Sequence, residues 1–412
     1  MQAFLAARFP TYGERNIKWF YVVSVFADAW FQAGNWLMFT LLFMSLGHFA
    51  VYEAISFAIG ILLEIPSGAI ADLIGRKRTV VIGMWMQAVG SGLFILGALD
   101  PIFFLWGNIL IIAAFSLRSG SLEALAYDTL AEHKKTELYD DVIGKAKSLG
   151  MLTVVVAGLL GGIAWTFSVY APWVLTAVFF VFGALAAHRL REPDIDSETF
   201  SWGAFAAQTK RGFHYLFNSS FRKYTFSLAV ITGSYYAWLA GVIRPQMGAD
   251  FGYGGDSINY LVAVSTLAGA VAAYFLRSMR KRLGDLWGFV TLLAVAGAGW
   301  LLASVVFGQP AVGLLVFLMI TMTGALSQAW TSVILNAHVH SKDRATAIST
   351  LSFLVQVPYV VTVILFAAMV ESGSVGIFYA VAGGLLLAGM VSYYFAERSD
   401  TKKGAGALPQ KP

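Results

Sequence analysis

Long apolar runs recur about twelve times along the chain, each near the roughly 20 residues a helix needs to cross a bilayer. They lie near 19–46, 49–71, 79–99, 102–125, 148–168, 171–188, 224–247, 258–276, 286–307, 310–336, 346–370 and 374–395. The polar connections between them alternate in character. The start (Arg8, Arg15, Lys18), 72–78, 126–147, 189–223, 277–285, 338–345 and the tail are basic, whereas the connections near 47, 100, 170, 250–256, 308 and 372 carry no Lys or Arg. All but two of the 28 Lys and Arg residues lie in the basic set, the exceptions being Arg118 and Arg244 inside runs. Cytoplasmic loops collect Lys and Arg while translocated loops do not. The pattern therefore predicts an all-α polytopic membrane protein of twelve transmembrane helices with both termini cytoplasmic. A multi-pass integral protein of a bacterial inner membrane is expected.

The longest internal polar stretch, 191–222, divides the runs six and six: a first bundle over 1–190, a second over 223–396 and a tail over 397–412. In that stretch Phe200, Trp202, Phe205, Phe213, Tyr215, Leu216 and Phe217 interleave with Lys210 and Arg211, as in a helix lying along the membrane surface. A solvated linker helix is the plainer reading. Arg76-Lys77-Arg78 follows the second run, and Arg280-Lys281-Arg282-Leu-Gly284-Asp285 follows the eighth, so the halves echo each other.

Composition agrees with a bilayer as the main solvent: 58% hydrophobic, 12% charged, mean hydropathy +0.70. The net charge of +5 comes from the loop bias, and no compact basic domain is present to bind nucleic acid. Zero cysteines exclude disulfides, thiolate metal sites and thiol nucleophiles. Arg8, Glu14 and Arg15 precede the first run, which continues too long for a cleavable signal.

Paired six-helix halves are a transporter architecture, with the solute near mid-membrane where the halves meet. Gly68-Ala-Ile-Ala-Asp72-Leu-Ile-Gly75-Arg76-Lys77-Arg78, between the second and third runs, resembles the Gly-x-x-x-Asp-x-x-Gly-Arg-Lys-Arg loop of the major facilitator superfamily. With the twelve runs and central linker around it, the resemblance covers essentially the whole chain. It implies a fold of two six-helix bundles around a central cavity, and secondary transport by alternating access. It also implies a gate in which Asp72, Gly68, Gly75, Arg76 and Lys77 contact the eleventh span and lock the outward-facing state. Physically, Gly75 permits a tight turn, and Asp72 suits a helix start or Arg76. Glu64, before Pro66, sits close enough to join the same gate. Within the superfamily, the sequence resembles the bacterial drug and proton antiporters. It keeps their fifth-span glycine pair at Gly161-Gly162 and lacks their proline, and only loosely echoes their fourth-span signature around Arg118.

An ionisable group at membrane depth costs at least ~2.5–3.5 kcal/mol and asks for a partner, a wet cavity or a function. Asp28 lies roughly 13 Å into the first span and Arg118 roughly 10 Å from the cytoplasmic end of the fourth, at similar depth by helical rise. Facing each other, they form either a proton switch or a static ion pair, with Glu123 as another partner for Arg118. At helical spacing Asp28, Gln32, Asn35 and Phe39 would form one polar stripe toward a cavity. Glu53 is expected to be wet at the outer mouth, and Glu123 and Asp128 to cap or pair with Lys145 and Lys147. The second half is expected to hold no acid at membrane depth, and Arg244 either to draw an anionic solute or to snorkel outward. Further cavity candidates are Trp30, Tyr236, Trp238, Asn259, Gln328, Gln356 and Tyr359.

No Gly-x-x-x-x-Gly-Lys-Ser/Thr loop occurs, nor a nucleophile elbow, so neither nucleotide-driven pumping nor enzyme chemistry is expected. His338 and His340 lack carboxylate or thiolate support for a metal. The expectation is a monomeric, cofactor-free and metal-free secondary transporter. Its partners are a small organic solute, protons and the lipid bilayer, most simply in proton-coupled efflux. Proton symport or facilitated uptake of a metabolite, and a non-transporting membrane sensor, are the alternatives.

Overall fold

The computed structural model describes residues 15–193, 203, 210, 213–214, 216–217, 221–338 and 341–402. Most of the 191–222 linker, His340 and residues 403–412 lie outside the described residues, and with them the proposed surface helix. Helices occupy every apolar run. They are α1 (Arg15–Ala27), α2 (Trp36–Leu41), α3 (Leu46–Ile74), α4 (Arg76–Leu96), α5 (Ile102–Glu132), α6 (Tyr139–Phe167) and α7 (Ala171–Ala187). After the linker come α8 (Arg222–Ala240), α9 (Ile243–Asp250), α10 (Ser257–Tyr274), α11 (Leu276–Ala303), α12 (Pro310–His338), α13 (Ser341–Glu371) and α14 (Val375–Lys402). Among the described residues nine helices are long and apolar enough to cross a membrane, ten with the bent pair α8 and α9.

Two runs read as continuous helices are broken. The first is non-helical from 28 to 35, between α1 and α2. The seventh bends by 77° between α8 and α9. The first break is held by partners distant in sequence, which periodicity does not carry. Ends that are local show in the residues. The Ser45 hydroxyl accepts from the His48 amide at 3.3 Å to start α3, and Gly75, at φ +93°, separates α3 from α4.

The chain divides into two compact units, Met1–Ser201 with Gly254–Val264, and Trp202–Tyr253 with Ser265–Pro412. In the first, α4 and α5 cross where Gly90 and Gly107 meet. A Cβ on either would stand 2.9 Å from the other's carbonyl oxygen. Small residues bring helices close where lipid supplies no hydrophobic drive for association. Nearby, Phe94 stacks on Trp173 at 4.2 Å. In the second unit Gly297 and Gly383 make a similar crossing between α11 and α14. Trp238 is fully buried there, against Phe317 at 4.6 Å and Trp300 at 6.1 Å between ring centroids.

Gly107→Val should wedge α4 from α5 and cost about 1–3 kcal/mol by overpacking. Thermal melting of the detergent-solubilised protein, followed by tryptophan fluorescence, should show a lower midpoint; an unchanged midpoint would mean that the two helices do not approach this closely.

Candidate functional site

Asp28 lies just past α1, at the start of the break. Its carboxylate occupies the space left by the missing side chain of Gly150 on α6, where any Cβ would collide with Oδ2. Asp28 and Arg118 of α5 interact electrostatically without closing to a salt bridge, and Glu123 adds a second negative field at Arg118. The Arg118 guanidinium sits 5.2 Å from the centre of the Phe115 ring, a cation–π arrangement. Trp30 stacks on that same ring at 5.9 Å and meets Phe180 edge-on at 4.8 Å. Helix 1's end, α5 and α7 are thus tied by rings around a buried arginine, with the aspartate nearby.

The polar stripe expected of Asp28, Gln32, Asn35 and Phe39 does not form, because the backbone carrying three of them is not helical. Gln32 and Asn35 are buried, Gln32 accepting from Thr176 Oγ1 and Asn35 donating to the Gly255 carbonyl at 3.0 Å. Asn259 is also fully buried, against the same segment. In the second unit Tyr236 and Tyr359 meet edge-on at 5.8 Å, Gln356 is half-buried and Gln328 exposed. Trp238 belongs to the packed core already described.

The basic loop is built from three directions. The Arg76 guanidinium pairs with Asp128 of α5 and donates to the Ala124 carbonyl at 3.0 Å. The backbone amides of Arg76 and Lys77 donate to the two oxygens of Glu192 at 2.6 and 2.8 Å. A carboxylate at a helix amino terminus takes up orphaned amides and meets the positive end of the dipole. Asn16 of α1 bridges the Thr129 hydroxyl at 3.1 Å and the Arg191 carbonyl at 2.8 Å, and Arg191 also pairs with Glu132. Arg76 is therefore neutralised by Asp128. Asp72 and Gly68 lie within α3, their side-chain surroundings outside the described residues, and Glu64 is exposed on α3.

Other expectations change as well. Lys147 does pair with Glu123, at 3.5 Å, but Lys145 pairs with Asp141. Glu53, expected wet, is 1% exposed. Asp250, assigned to an outer loop, ends α9 with its carboxylate accepting from Tyr379 Oη at 2.7 Å and Gln246 Nε2 at 2.8 Å. Arg244 is half-buried, its Nε fully so, with Tyr235 as its electrostatic neighbour. Glu192 was missed as a site residue. The internal repeat held the signal, since Glu397 stands at the corresponding end of the last span and accepts from Tyr224 and Tyr393, each at 3.3 Å. In the second half's own basic loop Arg280 is forked onto Asp285 at 2.7 and 3.0 Å and lies over the Trp330 ring at 6.0 Å.

Residues 225–411 match the family profile described as Major Facilitator Superfamily. Three solved structures share the fold at low identity. One is titled as the nucleoside transporter NupG (TM-score 0.71, 12% identity, 93% of this chain and 98% of that one). Another is the POT family transporter PepTSo (0.70, 12%, 94% and 99%). A third is a bacterial homolog of the human lysosomal transporter Spinster (0.64, 13%, 94% and 96%). Among curated proteins none matches. The fold is that of these transporters: all-helical, polytopic, in two units.

Removing Glu192 should unsettle the start of α4. Glu192→Ala leaves two amides without their carboxylate and is expected to cost about 1–3 kcal/mol, while Glu192→Gln should cost less. Melting midpoints ordered parent, Gln, Ala are the expected result, and equal midpoints would remove the cap from the account.

Proposed function

We propose that this chain is a secondary active transporter of the major facilitator superfamily, moving a small organic solute by alternating access in exchange for protons. Asp28 carries the reading. It is a half-buried carboxylate at a break in a spanning segment, held in a glycine recess within the field of Arg118. Neutral and charged forms of such an acid interact differently with the arginine. Ionised, Asp28 is drawn toward Arg118; protonated, it loses that attraction, and the segment carrying it is released. A proton taken up on one side and given up on the other would then bias the conformational exchange. Arg76, Asp128 and Glu192 act on the cytoplasmic side as a fixed frame for the basic loop, with Asp72 and Gly68 as the gate. The protein works as a monomer in a bacterial inner membrane with both termini cytoplasmic, and is not an enzyme.

Outward movement is the direction the antiporter resemblance favours. A second reading, proton symport or facilitated uptake of a small metabolite, draws support from fold neighbours titled as nucleoside and peptide transporters.

Everted vesicles acidified inside and reporting proton movement by dye should alkalinise when a transported solute is added, with lipophilic cations, neutral drugs, nucleosides and small peptides as the panel. Asp28→Asn is expected to abolish the signal. Gly150→Ala, which displaces the Asp28 carboxylate, should reduce it several-fold while Gly144→Ala, at an open position on the same helix, leaves it unchanged. Solute movement that persists in Asp28→Asn with full proton coupling would sink the assignment of Asp28; solute uptake into cells would select the second reading.

A further inference from the structure

The break between α1 and α2 exposes backbone groups at a depth where lipid offers no partner. Four of these groups are taken by two side chains from distant positions. The Phe31 amide donates to Thr176 Oγ1 at 3.1 Å, and the Phe31 carbonyl accepts from Asn259 Nδ2 at 2.9 Å. The Gly34 and Asn35 amides both donate to Asn259 Oδ1, at 2.6 and 3.1 Å. This use of two donors to one end and one acceptor at the other fixes which end of the carboxamide is oxygen. Asn35 returns a bond to the Gly255 carbonyl at 3.0 Å. The helix α6 makes room, since a Cβ on Gly161 would strike the Phe31 carbonyl. Asn259 lies on α10, in the stretch Gly254–Val264 that belongs to the first unit.

We propose that Asn259 is a positioning residue for Asp28, a backbone clamp that holds the first span in its broken form. The proposal rests on the proton-coupling reading above. A helix continuous through 28–35, as the sequence pattern expects, would bond the same amides and carbonyl internally and leave Asn259 nothing to hold. Asn259 therefore stabilises the broken form selectively, which is the requirement for shifting an equilibrium between two forms. The broken form is also the one in which Asp28 ends α1 with its carboxylate in the Gly150 recess. Winding the segment up would advance each side chain by about 100° per residue around the helix axis, and Asp28 would leave that recess. Seating of the Asn259 carboxamide and placement of the Asp28 carboxylate are thus one event.

Amide hydrogen exchange on the full-length purified protein, read by mass spectrometry, tests the clamp without reference to transport. Asn259→Ala should speed exchange in peptides covering 31–35 at least about tenfold, with peptides from α14 unchanged. Asn259→Asp retains both acceptor bonds to Gly34 and Asn35 and should stay within about threefold of the parent. If the alanine variant does not fold, Asn259→Ser carries the same expectation. Unchanged or slower exchange at 31–35 overturns the clamp. Proton movement in vesicles tests the positioning. Asn259→Ala should lose as much as Asp28→Asn, and the double variant should lose no more than either, because the two act through one site. Additive losses, or full proton movement in Asn259→Ala, overturn it. Absence of proton movement in the parent for every solute defeats the coupling reading, and with it the positioning role, while the exchange result still judges the clamp.

Discussion

A backbone embedded in lipid can leave the helix only where other groups replace the hydrogen bonds it gives up, and the first unit is organised around one such place. Between Asp28 and Asn35 the chain runs free of helix, and Thr176 and Asn259 supply what the helix would have. The glycines of α6 let this irregular segment approach, and the rings of Trp30, Phe115 and Phe180 fix its start against α5 and α7. The position of Asp28, and so the chemistry proposed for it, follows from these replacements.

Around the basic loop between α3 and α4 the organising force is charge. Arg76 reaches Asp128 while its own amide reaches Glu192, so one residue joins α4 to the end of α5 and to the chain beyond α7. The second unit solves the same turn locally, through Arg280 and Asp285 five residues apart. The repeat is preserved in the backbone, with positive φ at Gly75 and Gly284, but not in the wiring. Neutralising a cluster within one unit lets that unit keep its basic loop ordered without help from elsewhere.

The membrane spans were legible because apolar length and loop charge are set by the bilayer residue by residue, independently of which helix packs on which. Gly75 and the basic triplet were legible because a tight turn and a charged loop between two spans are local demands. The two breaks were not. Residues 19–46 read as one helix, since nothing in their own periodicity reveals that Asn259 will compete for their backbone. Glu192 was not legible as a site residue, its bond to Arg76 lying 116 residues away. Glu53 and Asp250 failed differently: depth was inferred from distance to a span end, whereas α3 and α9 carry both into packed surroundings. Asp28 and Arg118 were correctly brought near each other by depth counting, yet the recess that holds the acid depends on Gly150, an unremarked small residue.

Phe31 and Asn259 are 228 positions apart, which has a bearing on how the protein is made. At ~5–20 residues per second of synthesis, the carboxamide emerges roughly 10–45 s after the segment it will hold. During that interval Thr176 becomes available for the Phe31 amide, but the Phe31 carbonyl and the Gly34 and Asn35 amides still lack the side chain that takes them in the broken form. The broken form is complete only when the eighth run arrives and takes up three of its backbone bonds. Completion of the segment that carries Asp28 therefore waits on translation of the second half of the chain.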